Sequence, residues 1–417
     1  MEQAKEYINT LHGTSKGWIT VANMSNKDYH QWHYKAFELV QMEFDKQNMY
    51  MSQNTFYKPQ RRIENIKELR TLFIDLDLYK YNMTKEQAIY WLEQEYFSVK
   101  VPKPNMIIDS GRGLYLIWTI ETVPAQALSL WKAIEEYFYK TLKELGADRQ
   151  ALDPTRILRI PTTINSKSNT EVKILERYQY IYTLREIQNE YLPELTPQTK
   201  TKGRPKKVYS VYRDRSLYQA RILDLAKLCE LREYDLRGHR ELVLFLYRYY
   251  ICYFTEDTEK ALQDVLELNS EFIHPLRENE VIRATRSAER VFLSKDKQYK
   301  YKNETLIDLL EITEQEQTHL LTIIGKSEYR RRDREYQKKM YRANKEKVSK
   351  MKQNSYKSKL KEAGRMTKQE ELNELRTKIK DLRAKGLKNK DIRIELDLPE
   401  STLKRHITYM KKNGLIK

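Results

Sequence analysis

Cysteine is almost missing: Cys229 and Cys252 are the only two in 417 residues. Without a Cys-x-x-Cys pair or a Cys/His cluster, a structural zinc site is not expected, and nothing points to an oxidising compartment. Histidine is also scarce, at seven residues. His30 and His33 lie three apart but lack the apolar strand expected of a histidine-pair relaxase. Long apolar runs are absent; the longest, 242–247, is far too short to cross a bilayer. Residues 1–7 are charged and have no signal-peptide core. Gly325-Lys326-Ser327 resembles the end of a phosphate-binding loop, but Leu320 stands where the first glycine is needed and the surrounding pattern is helical. These absences exclude a motor ATPase, a membrane protein and a disulfide scaffold, leaving a soluble, cytoplasmic protein.

Positive charge is in surplus. The formal net charge is +18, and residues 329–365 hold 15 Lys or Arg against 4 Asp or Glu. A concentrated surplus favours a polyanion-binding surface over general solubility. Tyrosine outnumbers phenylalanine 31 to 10. Tyrosines stack on unpaired bases, although AT-rich codon usage gives the same bias.

The pattern divides the chain into five segments. Residues 1–195 mix strand and helix, with an early strand at 18–21, an apolar strand at 72–78 and a helix at 84–95. Strands at 105–109 and 114–120 flank a Ser110-Gly111-Arg112-Gly113 turn, which reads as a hairpin. A helix over 125–145 and strands at 156–160 and 172–175 complete an α+β domain. Residues 196–212 read as a linker, with Gly203-Arg204-Pro205 resembling a minor-groove hook. Residues 213–296 are helical, with Asp257 or Thr258 as a cap and Leu262, Val265, Leu266 and Asn269 on one face. A basic helical segment covers 297–365. In 366–417 an amphipathic helix ends at Gly386. Then 389–396 and 401–413 read as two short helices joined by a tight turn, the second capped by Ser401. This matches a helix-turn-helix, whose Ser401, Thr402, Lys404 and Arg405 would meet the major groove.

Three local constellations carry chemistry. Along a strand at 72–78, Leu72, Ile74, Leu76 and Leu78 point into a core, while Asp75 and Asp77 share the other face. Adjacent carboxylates repel, and a divalent ion between them relieves that repulsion. The Ser110–Gly113 turn permits close backbone approach, and Arg112 can reach a phosphate. The third constellation runs from Gly146-Ala147-Asp148 through Asp153, Arg156, Arg159 and Pro161 to Asn165 and Lys167. It offers a third carboxylate close to two arginines.

In this order and spacing the three segments resemble the primase-polymerase fold of the archaeo-eukaryotic primase superfamily, and more closely the replication proteins of bacterial plasmids and mobile elements. The family's apolar-flanked Asp-x-Asp is matched by Asp75 and Asp77, and its Ser-Gly-Arg-Gly type turn by residues 110–113. Its acidic residue leading into Arg-x-x-Arg-x-Pro is matched by Asp153, Arg156, Arg159 and Pro161. Residues 238–247 and 268–281 resemble the helical domain that follows such primase domains. The resemblance implies a nucleotidyltransferase, a DNA-dependent primase or DNA polymerase, working on a single-stranded DNA template with NTPs or dNTPs. Asp75, Asp77 and Asp153 would hold two Mg²⁺ or Mn²⁺ ions. Ser110, Arg112, Tyr115, Arg156, Arg159 and Lys167 would bind nucleotide or backbone phosphates. Origin duplex DNA would be read by the tail, and a separate replicative helicase would be recruited. One departure stands out: Tyr115 occupies the place of the family's nucleotide-contacting histidine. Two other readings remain: an origin-binding initiator with little or no polymerase activity, and a metal-dependent nuclease, for which the catalytic lysine spacing expected after Asp77 is lacking.

Overall fold

Alternating apolar residues between Ile19 and Arg177 build two antiparallel sheets, and apolar residues at helical spacing build everything after them. The computed structural model describes residues 2–25, 28–44, 47–192, 208–294, 299 and 301–416. It divides into two units, Met1–Glu328 and Tyr329–Lys417. The fold is α+β.

The first unit begins with α1 (Glu2–His12), β1 (Ile19–Ser25), β2 (Asp28–Tyr34), α2 (Ala36–Leu39), β3 (Met49–Ser52), β4 (Thr55–Phe56) and β5 (Ile66–Leu76). Then come α3 (Lys85–Trp91), β6 (Met106–Asp109), β7 (Leu114–Pro124), α4 (Leu128–Leu142) and β8 (Ile157–Arg159). Next are β9 (Ile164–Asn165), β10 (Thr170–Glu171), β11 (Lys173–Arg177) and α5 (Leu184–Tyr191). The helices α6 (Val208–Leu231), α7 (Arg240–Thr255), α8 (Thr258–Ser270), α9 (Glu278–Ser294), α10 (Asn303–Leu309) and α11 (Glu314–Gln317) follow. One sheet has the order β2-β1-β3-β8 and the other β11-β6-β7-β5-β4; β9 and β10 pair separately.

The expected hairpin is present, with β6 paired to β7. The apolar strand differs from expectation at its end: β5 stops at Leu76, so Asp77 and Leu78 lie beyond it. Asp77 instead starts a tight 3₁₀ turn over Leu78–Tyr81. Among the described residues, no strand pairs with the outer edge of β5 over 69–74, and α4 covers it. The Trp131 indole donates to the Thr71 carbonyl, and the Phe73 amide donates to Glu135, each at 2.7 Å. Side chains thereby satisfy edge groups that would otherwise be buried without partners.

Residues 196–207 of the expected linker, including Gly203-Arg204-Pro205, lie outside the described residues. Its remainder, 208–212, is already helical, because α6 starts soon after the last helix breaker, Pro205. The helices do not build a core apart from the sheets: Leu225, Tyr247 and Leu268 belong to the same buried cluster as Leu72 and Trp118. Asp257 caps α8, accepting from the Glu259 and Lys260 amides. The helical segment expected over 297–365 is broken at 311–313 rather than continuous. Glu311 adopts a left-handed backbone, and Thr313 caps α11 afresh with Glu316. Near the rejected phosphate loop, the amides of Thr322 and Ile323 already bond the Asp224 carboxylate.

Within the second unit, α12 (Lys326–Glu362) starts at the end of the first and is followed by α13 (Lys368–Ala384), α14 (Asn389–Glu395) and α15 (Glu400–Lys412). The last three enclose a small core of Ile379, Ile392, Leu403, Ile407 and Met410. Ser401 is not the cap. Pro399 holds that position with the fixed backbone angle of proline, and its carbonyl accepts from Thr402 and Leu403. Among the described residues no helix is long and apolar enough to cross a membrane.

Candidate active site

At the C-terminal end of β5 the chain makes one further pairing. Leu76 bridges antiparallel to Ala147, the Asp148 amide donates to the Asp75 carbonyl and the Asp77 amide to the Gly146 carbonyl, both at 2.8 Å. Asp75 and Asp148 therefore stand opposite one another, with Asp77 two residues along from Asp75. Directly opposed residues of an antiparallel pair share a face. Two glycines make this approach possible. A Cβ on Gly113 would stand 2.0 Å from the Leu76 carbonyl oxygen. Gly146 has φ +89° and lies close against the Asp77 carbonyl, a conformation that L side chains rarely adopt.

Burial pushes the Asp75 carboxyl up to about 7. Asp77 and Asp148 push the same way, and Arg156 and Arg159 oppose them. Asp75 makes no side-chain hydrogen bond or ion pair with the described residues. Asp77 is paired with Lys80. On the next strand Tyr115 lies opposite Asp75. It is 3 % exposed, and burial, with Asp75 beside it, raises its phenol well above the usual range. Its hydroxyl accepts from Arg159 Nη1 at 3.3 Å. Arg159 comes from the other sheet, where it pairs with Tyr50 across β3 and β8 and places its guanidinium over the Tyr50 ring at 4.8 Å. The two sheets thus meet where Asp75, Tyr115, Tyr50 and Arg159 converge.

Asp153 does not join the carboxylates. It is 2 % exposed and turned inward, where its oxygens accept from the Thr155 amide and hydroxyl at 2.9 and 2.7 Å. The structure does not bring Asp153, expected as the third carboxylate, to Asp75; Asp148 stands opposite Asp75 instead. Asp153 shapes the loop that carries Arg156. Ser110 is buried, and its peptide holds the turn: its amide donates to Gly113, and its carbonyl accepts from Asn165 at 2.7 Å. Arg112 is exposed and lies flat on the Tyr79 ring at 3.9 Å. Lys167 is exposed, with its amide bonded to the Asn165 side chain. Tyr50 and Lys80 lie beside these residues and carried no signal in the sequence; Asp148 stood in the third constellation, two residues after Gly146, but without an expected role.

The donors are all oxygens, which suits Mg²⁺ or Mn²⁺. Among the described residues no group of three His, Cys, Asp or Glu side chains closes around a single ion position. Mg²⁺ commonly takes one or two carboxylates plus substrate phosphates rather than a protein cage. An unpaired, buried Asp75 fits that mode.

No family model matches this sequence. A curated "Replication protein" of Clostridium perfringens is 60 % identical over 412 residues, covering 99 % of this chain and 98 % of that protein. The chain belongs to that replication-protein family. Among solved structures, this replication-family chain is similar to the primase-polymerase AEP domain of cyanophage S-2L, with TM-score 0.35 and 12 % identity, over 46 % of this chain and 97 % of that one. It is also similar to primase RepB′, with TM-score 0.30 and 12 % identity, over 70 % of this chain and 98 % of that one. A third similarity is to the catalytic domain of RepB′ in complex with initiator DNA, with TM-score 0.30 and 13 % identity, over 47 % of this chain and the whole of that one.

In the second unit Ser401, Lys404 and Arg405 are exposed, and Thr402 is half-buried. All four precede or flank the buried Leu403 and His406 on α15, leaving one polar face. Lys404 is paired with Glu400 at 2.9 Å.

Proposed function

We propose that this replication protein is a primase-polymerase: a nucleotidyltransferase that joins NTPs or dNTPs on a single-stranded DNA template during plasmid or mobile-element replication. The observation that carries the reading is the gathering of Asp75, Asp77 and Asp148 across the Leu76–Ala147 bridge, beside Arg156 and Arg159. Asp75, Asp77 and Asp148 would hold two Mg²⁺ or Mn²⁺ ions. When bound, such ions favour the ionised attacking hydroxyl and neutralise charge on the leaving pyrophosphate. Arg156 and Arg159 bring positive charge to the triphosphate. Tyr115 fixes Arg159 through its hydroxyl and does not itself supply a charge. Lys80 keeps Asp77 oriented until substrate arrives. Arg112 on Tyr79, with Lys167, offers cations at the site's outer edge for template or nucleotide phosphates. Helices α14 and α15 would act as a helix-turn-helix on origin duplex, with Ser401, Thr402, Lys404 and Arg405 in the major groove. A separate helicase would open the duplex in the cytoplasm.

The test is primer synthesis and extension on single-stranded DNA with labelled NTPs or dNTPs and Mg²⁺ or Mn²⁺. Metal-dependent product that disappears in Asp75→Asn and Asp77→Asn supports the reading. Absence of product with duplex binding intact overturns it in favour of a second reading, an origin-binding initiator with little or no polymerase activity. That second reading is favoured by the burial of Tyr115, which puts a neutral phenol where the family's histidine contacts nucleotide.

A further inference from the structure

The corner between α7 and α8 reaches back onto the loop between Asp148 and Arg156. Two acids on this corner, Glu256 and Asp257, meet two arginines of the loop, and the two contacts differ in kind. Arg149, next to Asp148, grips Glu256 with two nitrogens, Nη2 to Oε1 at 3.0 Å and Nε to Oε2. This is a bidentate lock. Glu256 holds it from a left-handed backbone at φ +63°, a conformation that a non-glycine residue keeps only where its surroundings impose it. Asp257, by contrast, stands 4.0 Å from Arg156 Nη1, beyond hydrogen-bond range. Its Oδ1 is tied down as the cap of α8 by the Glu259 and Lys260 amides at 3.0 and 2.9 Å. Its other oxygen, Oδ2, is therefore held facing Arg156 without locking it. Arg156 is partly exposed and stands between Asp257 and the carboxylate site.

We infer that Asp257 is an internal competitor for Arg156, so that the helical corner sets how strongly the site binds a nucleoside triphosphate. The inference rests on the nucleotidyl-transfer reading above, because it needs Arg156 to serve the triphosphate. Arg149 and Glu256 keep the corner in place. Asp257 then withholds part of the charge of Arg156 until phosphate oxygens displace it. The corner carries no reacting group; Asp257 is a positioning residue that acts through Arg156.

Asp257→Asn tests this cleanly, because asparagine caps a helix as well as aspartate and removes only the charge. Binding of dATP with Mg²⁺ to the full-length protein is measured by calorimetry, alongside KM and kcat for extension of a primed single strand. The expected result is a Kd and KM lower by about threefold with kcat not raised, the size expected for a partly exposed pair. Asp257→Ser, which also keeps a cap, should behave alike, and tripolyphosphate should gain as dATP does. A contact that only braces the fold would instead lower the melting temperature and leave Kd unchanged or weaker, and that result overturns the inference. If the wild-type protein binds neither dATP nor ATP, the nucleotidyl-transfer reading falls and takes this inference with it. If it binds dATP and extends primers, yet both variants bind no more tightly, the inference alone fails.

Discussion

A lysine and an acid one helical turn apart occur in both units, in opposite surroundings. On α8, Lys260 and Asp264 are paired with side chains 6 % and 1 % exposed. On α15, Lys404 and Glu400 are paired with side chains 74 % and 64 % exposed. The first pair sits in a buried network: Lys260 also donates to the Arg61 carbonyl, while Arg61 reaches the Thr155 carbonyl and the Tyr29 hydroxyl. Burial pushes the Asp264 carboxyl to about 6 even with Lys260 beside it. The second pair is bathed in water and screened by salt, so its charges remain available to another partner. Interior charge in the first unit holds the loop of Asp153 and Arg156 against the helices. Surface charge in the second unit does no comparable structural work and suits a polyanion.

The largest test of this contrast lies at the carboxylates. Asp75→Asn or Asp148→Asn should reduce synthesis by about a thousandfold or more while leaving duplex binding unchanged. Asp153→Asn should act chiefly on stability, through Thr155. If Asp153→Asn removed synthesis at an unchanged melting temperature and Asp148→Asn did not, the assignment of the third carboxylate would be reversed.

Next in size is the buried pair itself. Lys260→Met strands Asp264 in the interior and should cost about 3 kcal/mol in urea denaturation. Lys404→Ala should leave unfolding where it was. Equal effects would erase the distinction between the units.

A pH scan probes the same interior. His12 is fully buried, with Nε2 2.9 Å from the Ser52 carbonyl, and burial lowers its pKa from 6.5 to about 4. Below 6.5 the unfolded chain takes up a proton that the folded chain refuses until about 4. Stability is therefore full above 6.5 and falls as the pH drops toward 4, by up to about 3 kcal/mol. Asp75 and Asp264 push the opposite way over this range, so the fall is read as a difference: the stability advantage of the wild type over His12→Asn in melting curves should shrink between pH 7.5 and 4.5.

The smallest effect on the first unit should come from removing residues after Gly364. Origin-duplex binding should weaken by about tenfold or more and lose part of its salt dependence, the basic 329–364 stretch being retained, while synthesis on non-origin templates persists. Loss of synthesis would show that the tail serves the active site directly.

Much of this could be read from local patterns. The β6–β7 hairpin followed from a glycine-bearing turn between two apolar strands. The face shared by Asp75 and Asp77 followed from alternation, although the strand ends one residue short of Asp77. The helices of the tail followed from apolar spacing, but the cap at Pro399 did not, because proline contributes through its backbone angle and offers no capping side chain. Tyr115 was identified by position; its burial and its bond to Arg159 were not visible.

What short-range chemistry dictated was the inventory: an acid-bearing strand, a tight hairpin, an arginine-rich loop, a basic helical tail. These follow from side-chain periodicity and turn preferences, which act within a few residues. The choice between Asp148 and Asp153 belonged to tertiary structure. Both acids lead into the same arginines, and only the pairing of Ala147 with the distant Leu76 brings one to Asp75 and leaves the other turned toward Thr155. The approach of Asp257 to Arg156 is of the same kind. Which charges meet across a fold depends on how sheets and helices pack, and no local pattern encodes that distance.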